Sequence, residues 1–295
     1  MSCAGGTRCR IGPPDVPSTG ADIDMTVFAF DIETIPDVEL GRRIYGLDDL
    51  SDKQVGYVMQ AKRREEVGNE FLSYEQHRIV AISVGLRMRD GFKVWSLGEP
   101  GATEAEIIQR FYDGIEKYTP DLVSWNGGGF DLPVLHYRAL RHGIAAPRYW
   151  ESGENDQAFR WNNYLSRYHS RHLDLMDVLA SYQPRARVSL QSAALLLGLP
   201  GKLGMSGDKV WDAWLEGQIE HIRNYCETDV LNTFLVYLRF ELMRGRLSGD
   251  EYRAEVERVR EMLKAQPQAH FQEFLLAWSE APDAGLPSAG AERSG

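Results

Sequence analysis

The stretch VFAFDIETIPD (residues 27–37) has the pattern of a buried strand that ends in two acidic residues. Four apolar residues lead to Asp31, and one further apolar residue separates Asp31 from Glu33. Because strand side chains alternate between faces, both carboxylates project to one side, about 6–7 Å apart along the strand. Two like charges at this separation repel each other. Either a cation compensates them, or the strand ends in solvent.

The composition of the 295-residue chain permits a sizeable core in one large domain or two small ones, since 43% of its residues are hydrophobic. Its formal net charge of −10 argues mildly against a nucleic-acid partner. The charge is unevenly distributed, however. Residues 157–209 contain seven Lys or Arg against three Asp, which gives a local charge of +4. The middle of an acidic chain is therefore basic.

The three cysteines, Cys3, Cys9 and Cys226, do not form a disulfide framework and suit a reducing compartment. The Cys and His residues also lack the close spacing of a zinc site. No apolar run has the roughly 18 residues that span a bilayer, and the first 24 residues lack the apolar core of a signal peptide. We therefore predict a soluble, cytoplasmic protein with no membrane partner.

Periodicity and turn signals predict an α/β protein with a mixed sheet flanked by helices. Alternating segments at 77–88 and 91–99 are separated by an Asp-Gly turn, which is a strong hairpin signal. A shorter strand is predicted at 121–127, and residues 171–182 are predicted to form a short strand that passes into a helix, so antiparallel first strands are expected to precede parallel ones. Helices are predicted over 103–118, 132–141, 189–197 and 219–244.

One domain is expected to span residues 25–247, with a polar, partly helical insertion at about 36–76. Residues 248–280 are predicted to form a helical C-terminal extension. The compositions of residues 1–24 and 281–295 predict disorder, and Met25 is expected to be the true start.

Two further carboxylates occur at positions where they could join Asp31 and Glu33. Asp131 follows SWNGGGF at a predicted strand-to-helix turn, and Asp229 lies in a late helix four residues after Tyr225. Residues i and i+4 share a helix face, so the phenol and the carboxylate can converge. Clustered carboxylates are ligands for Mg²⁺ or Mn²⁺ rather than zinc. Two such ions would activate a water and stabilise the leaving oxygen of a phosphodiester.

Three ordered motifs resemble those of the DEDD superfamily of 3′–5′ exonucleases. They are DIE (residues 31–33), NGGGFD (residues 126–131) and YCETD (residues 225–229). The tyrosine in the third motif resembles the DEDDy branch, which includes the proofreading domains of family B DNA polymerases. In the histidine branch a His precedes the last Asp by five residues, where this chain has Asn224. The chain looks most similar to a bacterial group of stand-alone exonucleases related to those proofreading domains.

This resemblance implies a ribonuclease H-like fold and a role for each motif residue. Asp31 would bridge two Mg²⁺ or Mn²⁺ ions, Glu33 and Asp229 would hold the ion that carries the attacking water, and Asp131 would support the second ion. Tyr225 would orient the water. The implied activity is 3′–5′ hydrolysis of single-stranded nucleic acid to 5′-mononucleotides. The implied partners are single-stranded 3′ ends of DNA or RNA, with replication or repair proteins as possible further partners.

Three more residues are candidates for substrate contact: Asn126, Phe130 and Lys202. Two of them also have simpler interpretations. Asn126 is equally suited to capping its own loop, and Lys202 is equally suited to a solvated position on the surface. The glycines at 127–129 lack the pattern of a phosphate-binding loop and are expected to serve a close backbone approach or a positive φ.

Other candidate site residues also have structural interpretations. Asp131 would serve as the N-cap of its helix, and Tyr225 could be an ordinary core aromatic if Asp229 were not at i+4. His172 and Asp174 are expected to make structural pairings, and Cys226 is expected to be a packed, small apolar residue.

Two other functions compete with the exonuclease hypothesis. The first is a nucleic-acid-binding module without chemistry, although uncompensated carboxylates would repel phosphates. The second is a metal-dependent endonuclease or phosphodiesterase on the same fold. The sequence does not distinguish DNA from RNA as the substrate.

Overall fold

The computed structural model describes residues 26–280, so the predictions for residues 1–24, for Met25 as the start and for residues 281–295 fall outside it. The strands form one sheet and are β1 (Val27–Pro36), β2 (His77–Met88), β3 (Gly91–Ser96), β4 (Asp121–Ser124) and β5 (His172–Asp174). The α-helices are α1 (Val38–Tyr45), α2 (Asp52–Val67), α3 (Glu104–Tyr118), α4 (Asp131–His142), α5 (Pro147–Trp150), α6 (Leu175–Leu179), α7 (Leu190–Leu196), α8 (Val210–Leu215), α9 (Ile219–Met243), α10 (Gly249–Ala265) and α11 (Ala269–Glu280).

The sheet has the strand order β3-β2-β1-β4-β5. β1 pairs antiparallel with β2, as β2 does with β3, whereas β1 and β4, and then β4 and β5, are parallel. This confirms the predicted α/β class with a mixed, ribonuclease H-like sheet flanked by helices. Among residues 26–280, no helix has the length and apolar character to cross a membrane.

β1 lies at the centre of the sheet and is covered on both faces. Val27 and Ala29 share a core with residues of α9, whereas Phe28, Phe30 and Ile32 share a second core with residues of α3 and α4. This explains the continuous apolar run, since a strand buried on both faces loses the alternation of a half-exposed strand. Asp31 and Glu33 continue the alternate positions that face α9.

The pairing of β1 with β2 continues three residues beyond the predicted end of β1, and it contains an irregularity. Glu33 is opposite Ala81, but Thr34 is opposite Ile79, so one residue of β2 is left over at this point. Such a bulge locally increases twist and redirects side chains, and bulges are frequent beside active sites. The backbone N–H of Ile79 donates to Glu104 Oε1 at 2.7 Å, which fixes the irregular segment to α3.

The predicted insertion at 36–76 contains α1 and α2 and packs against α8. A Cβ atom on Gly56 of α2 would lie 2.8 Å from the Trp211 ring, so glycine permits this close packing. The insertion begins and ends at adjacent points, because the N–H of Asp37 donates to the carbonyl oxygen of Gln76 at 2.8 Å.

The predicted helical segment 248–280 consists of two helices, α10 and α11, separated by residues 266–268. Val259, Leu263, Phe271 and Phe274 are buried in the same core as residues of α9. These two helices therefore complete the core on the α9 side of the sheet.

A buried ion cluster joins the end of β1 to α3 and α4. Arg138 of α4 is 3% exposed and donates to Glu104 at 2.7 and 2.5 Å and to Asp37 at 2.5 Å. Bidentate arginine–carboxylate pairs are geometrically specific as well as strong. The cluster therefore fixes the position of α4 relative to β1.

We predict that Arg138→Met lowers the free energy of unfolding by about 3–5 kcal/mol, because it removes the buried guanidinium that Asp37 and Glu104 share. Urea unfolding measures this change. Arg110→Ala is the matched control, since Arg110 pairs with Glu106 in an exposed i,i+4 bridge and should change stability by about 0.5 kcal/mol or less. An Arg138→Met protein as stable as the control would contradict this role.

Candidate active site

Asp31 and Glu33 lie on the side of β1 that faces α9, as the strand alternation predicted. Cys226 of α9 packs beside them, with its sulfur 3.4 Å from the carbonyl oxygen and 3.6 Å from the carboxylate of Asp31. Ligand atoms of these three residues lie within 4.8 Å of one another. Burial, together with the negative charges of Asp31 and Glu33, holds the pKa of the Cys226 thiol well above its ordinary value. The thiol is therefore neutral, consistent with the interpretation of Cys226 as a packed residue.

Tyr225 and Asp229 lie one turn apart on α9, and Lys202 reaches both of them. The Lys202 ammonium is 3.3 Å from Asp229 Oδ2 and donates to the Tyr225 hydroxyl oxygen. It also lies 5.0 Å from the centre of the tyrosine ring. Lys202, one of the candidates for substrate contact, is thus directed into the carboxylate cluster rather than into solvent.

Asp131 begins α4, but the structure corrects its interpretation as an N-cap. Phe130 holds the N-cap position, and no side chain caps the helix there. Asp131 Oδ1 instead accepts a hydrogen bond of 3.1 Å from the N–H of Ile32, which lies between Asp31 and Glu33. Because Ile32 is in β1, this bond joins the start of α4 to the acidic end of the central strand.

Burial and acidic neighbours raise the pKa of both acids on β1. Burial is the largest cause at Asp31, and the charges of Asp131, Glu33 and Asp229 then raise its pKa further. Burial and the charge of Asp229 likewise raise the pKa of Glu33, while Lys202 lowers it. The pKa of Asp131 is raised to about 7, mainly by burial. The Lys202 ammonium lowers the pKa of Asp31, Glu33 and Asp229, so it offsets part of the repulsion.

The carboxylate cluster fits a hard divalent cation. Asp229 Oδ1 is buried and makes no hydrogen bond, although a buried carboxylate oxygen is normally paired. The other available donors are also carboxylate oxygens, which Mg²⁺ and Mn²⁺ prefer. A bound cation would satisfy the free oxygen and reduce the repulsion within the cluster.

The NGGGFD loop has a compact geometry that depends on glycine and on Asp174. A Cβ atom on Gly127 would overlap the Ser124 hydroxyl, and one on Gly129 would overlap the Asn126 side chain. The close-approach interpretation of these glycines is therefore confirmed, whereas the positive φ belongs to Asn126, at 66°. Asp174 accepts from the N–H groups of Asn126 and Gly128 at 2.9 and 3.0 Å.

Asn126 thus lies inside its own loop, where its carbonyl oxygen accepts from the N–H groups of Gly129 and Phe130 at 2.9 Å. These backbone bonds close the loop, and substrate contact by the Asn126 side chain stays a prediction. His172 pairs with the Ser124 hydroxyl at 2.8 Å. The expected structural pairings of His172 and Asp174 are confirmed.

Phe130 lines a cleft of ≈ 440 Å³ that also contains Glu33. Phe71, from the end of the insertion, lines the same cleft, and its ring contacts that of Phe130, with ring centres 5.2 Å apart and the ring planes tilted by 60°. Phe71 is 54% exposed, which is unusual for a phenylalanine with an aromatic neighbour. The sequence analysis missed Phe71, because nothing in the polar stretch around it indicated that the insertion folds back to the acidic strand.

His77 supports this cleft in its neutral form. Its Nε2 lies 3.2 Å from the carbonyl oxygen of Leu72, and its Nδ1 lies 2.9 Å from the Thr34 hydroxyl. Since a carbonyl only accepts, Nε2 carries the proton and Nδ1 accepts from Thr34. Burial lowers the pKa of His77 to about 4. The ring therefore acts as a fixed, uncharged wall beneath Phe130.

Comparison with known proteins shows similarity to DNA polymerases and to a family of predicted exonucleases. The chain shares 26% identity over 177 residues with a DNA polymerase of Archaeoglobus fulgidus, covering 59% of this chain and 21% of the polymerase. It shares 27% identity over 155 residues with DNA polymerase 1 of Pyrococcus abyssi, covering 50% and 20% of the two chains. The chain thus spans about a fifth of the length of these curated relatives.

A family model described as a predicted 3′–5′ exonuclease related to the exonuclease domain of PolB matches residues 69–278. This range includes Asp131, Tyr225 and Asp229, whereas Asp31 and Glu33 precede it, separated from it by most of the insertion. The match covers well over half of the 295 residues. The chain therefore belongs to this family of predicted 3′–5′ exonucleases related to the exonuclease domain of PolB.

Proposed function

We propose that this protein is a metal-dependent 3′–5′ exonuclease of the DEDDy type, which hydrolyses single-stranded nucleic acid to 5′-mononucleotides. The observation that carries the proposal is the convergence of Asp31, Glu33, Asp131 and Asp229, with one unpaired carboxylate oxygen, beside an aromatic cleft. Membership of the exonuclease family supports the reaction class.

Asp31, Glu33, Asp131 and Asp229 would together hold two Mg²⁺ or Mn²⁺ ions. When bound, such ions activate a water and stabilise the leaving oxygen of a phosphodiester. The carboxylates supply the negative charge that retains the ions. Without the ions the same charge would repel a phosphate, so placement of the scissile phosphodiester at the carboxylates would depend on binding of metal.

Tyr225 would hold the attacking water or a phosphate oxygen by donating a hydrogen bond. Burial, followed by the charges of Asp229, Glu33 and Asp31, raises the pKa of its phenol above the ordinary range, so it stays protonated and is not a base. Its oxygen accepts from Lys202 and its hydroxyl interacts with Asp229, so the phenol is held at the carboxylate cluster. The Lys202 ammonium would in turn stabilise negative charge on the phosphate.

The cleft lined by Phe71 and Phe130 would receive the terminal nucleoside, which would stack on the exposed side of this ring pair. Aromatic rings on which a base stacks contribute roughly 1–3 kcal/mol per base and tolerate any sequence. Only an unpaired base can enter such a cleft, which supports a single-stranded or frayed 3′ end as the substrate. The terminal phosphodiester would then lie beside Glu33.

Asp31→Ala and Asp229→Ala should each reduce hydrolysis of labelled single-stranded DNA and RNA by roughly a thousandfold or more, because several kcal/mol of charge stabilisation depend on the metal ligands. EDTA should have the same effect on the wild-type protein. Asp113→Ala, which removes an exposed carboxylate on α3, is the control and should retain activity. Hydrolysis that persists in excess EDTA would exclude the metal account. Equal attack on circular single strands would indicate an endonuclease instead.

Tyr225→Phe removes only the hydroxyl group and should leave metal and substrate binding largely intact. We expect kcat to fall by roughly 10- to 1000-fold, in the range of one group that positions or transfers a proton. Single-turnover rates should be compared with those of Asp229→Ala, which should be slower still. A wild-type rate for Tyr225→Phe would make Tyr225 a core aromatic residue only.

The burial of Asp131 should also be detectable in the stability of the metal-free protein. The pKa of Asp131 is about 7 in the folded chain against 3.8 for a free carboxyl, so the folded state binds the extra proton and loses stability as the pH rises from about 4 to 7. In EDTA, Asp131→Asn should therefore be little different from wild type near pH 4 and more stable at pH 7.5.

Thermal unfolding across this pH range measures the effect. Mn²⁺ should reverse the order at pH 7.5, since the wild type gains more from the ion. Asp113→Asn is the control variant and should remain within about 0.5 kcal/mol of wild type throughout. An Asp131→Asn protein that is less stable than wild type in EDTA at pH 7.5 would contradict an unfavourable buried charge at this position.

A further inference from the structure

A second charged and aromatic surface lies on the other side of the NGGGFD loop from the Phe71–Phe130 cleft. We define the arginine–tyrosine face as Arg167, Tyr168, Tyr182 and Arg187, which surround Asp177. These residues belong to the basic middle of the chain, and the proposed chemistry does not use them.

The two arginines share one carboxylate. Arg167 and Arg187 donate to the two oxygens of Asp177 at 2.6 and 2.5 Å. Two guanidinium groups against one carboxylate leave one positive charge, and the side chains of both arginines remain partly exposed, at 49% and 32%. Although the chain has a net charge of −10, this surface would attract a phosphate.

The two tyrosines form a ring pair beside these arginines. Their ring centres are 5.1 Å apart at 65°, and the Arg167 guanidinium lies 4.9 Å from the ring centre of Tyr182. Tyr168 is 73% exposed, so one face of its ring is available to a base. Exposed aromatic rings interleaved with arginine are the features by which proteins bind single strands.

The backbone that presents Tyr182 is in an uncommon conformation. Ser181 and Tyr182 both have positive φ, at 49° and 60°, a region that residues other than glycine rarely adopt. The N–H of Tyr182 donates to the carbonyl oxygen of Asp177 at 2.8 Å, which fixes this turn to the residue that holds both arginines. Strained backbone that the surroundings hold in place is characteristic of functional surfaces.

The arginine–tyrosine face is adjacent to the active site. A cleft of ≈ 180 Å³ has Arg167, Tyr182 and Arg187 on one wall and Gly128 and Gly129 on the other. Gly128 is three residues before Asp131, so their Cα atoms are at most about 11 Å apart.

We propose that the arginine–tyrosine face binds the part of the substrate strand on the 5′ side of the scissile bond. Arg167 and Arg187 would contact phosphates and Tyr168 would stack with a base, while the 3′ nucleotide lies in the cleft of Phe71 and Phe130. This inference rests on the proposed exonuclease function, and it predicts a length dependence: strands too short to reach the face lose its contribution.

The test compares the double variant Arg167→Ala/Tyr168→Ala with wild type on 12-nucleotide and 3-nucleotide single strands. In EDTA, anisotropy of a labelled 12-mer should show roughly tenfold weaker binding, and the salt dependence should fall by about one unit of slope. In Mn²⁺, kcat/KM should fall to a similar extent on the 12-mer and less than about twofold on the 3-mer. Arg110→Ala, with a similarly exposed paired arginine, and Tyr168→Phe, which keeps the ring, should both match wild type.

Unchanged 12-mer binding by the double variant would overturn the proposal. Equal losses on both lengths would also overturn it, because the substitutions would then act through the catalytic site. If the wild type bound the 12-mer but hydrolysed nothing, the proposed exonuclease function would fail while the binding measurement still tested the face.

Discussion

The structure depends on keeping four carboxylates together where burial and mutual repulsion oppose it. Asp31 and Glu33 are held by the central strand, which is packed on both faces and paired on both edges. Asp229 is held by α9, the long helix that covers one face. Because each acid belongs to a strand or helix that packs in the core, the backbone holds the four carboxylates near one another. The folded chain thus retains electrostatic repulsion between carboxylates, and relief of this repulsion would favour the binding of a cation.

The position of α4 shows how this arrangement is stabilised. Its first residue, Asp131, accepts from the N–H of Ile32, and two turns later Arg138 is bound by Asp37 and Glu104. The contact of Asp131 with Ile32 joins the helix to β1, and the contact of Arg138 with Asp37 joins it to the residue that follows β1. The bulge opposite Glu33 is fixed through the same Glu104. A buried ion cluster therefore supports the acidic cluster without contributing to its chemistry, and the two are separated along one helix.

Local patterns predicted the parts of the fold and the site that depend on local sequence. The alternation around Asp31 gave the orientation of both acids, the Asp-Gly turn gave the β2–β3 hairpin, and the i,i+4 spacing placed Tyr225 beside Asp229. What could not be predicted depends on contacts between distant segments. The bond that removes Asp131 from a capping role spans 99 residues, and Phe71 approaches Phe130 only because the insertion returns to its starting point. The charge of Lys202 was visible in the sequence, but its direction was not.

The hydrogen bond between Asp37 and Gln76 has a consequence for how such a domain can change. A segment whose ends are adjacent can change in length at little cost, because the entropy of loop closure depends only logarithmically on length. Such a change also leaves the flanking strands β1 and β2 in register. Here that segment carries Phe71, which lines the cleft beside Glu33, but none of the four carboxylates. A change in this peripheral segment could therefore reshape the cleft, while the acidic residues stay on the sheet and on the helices that pack against it.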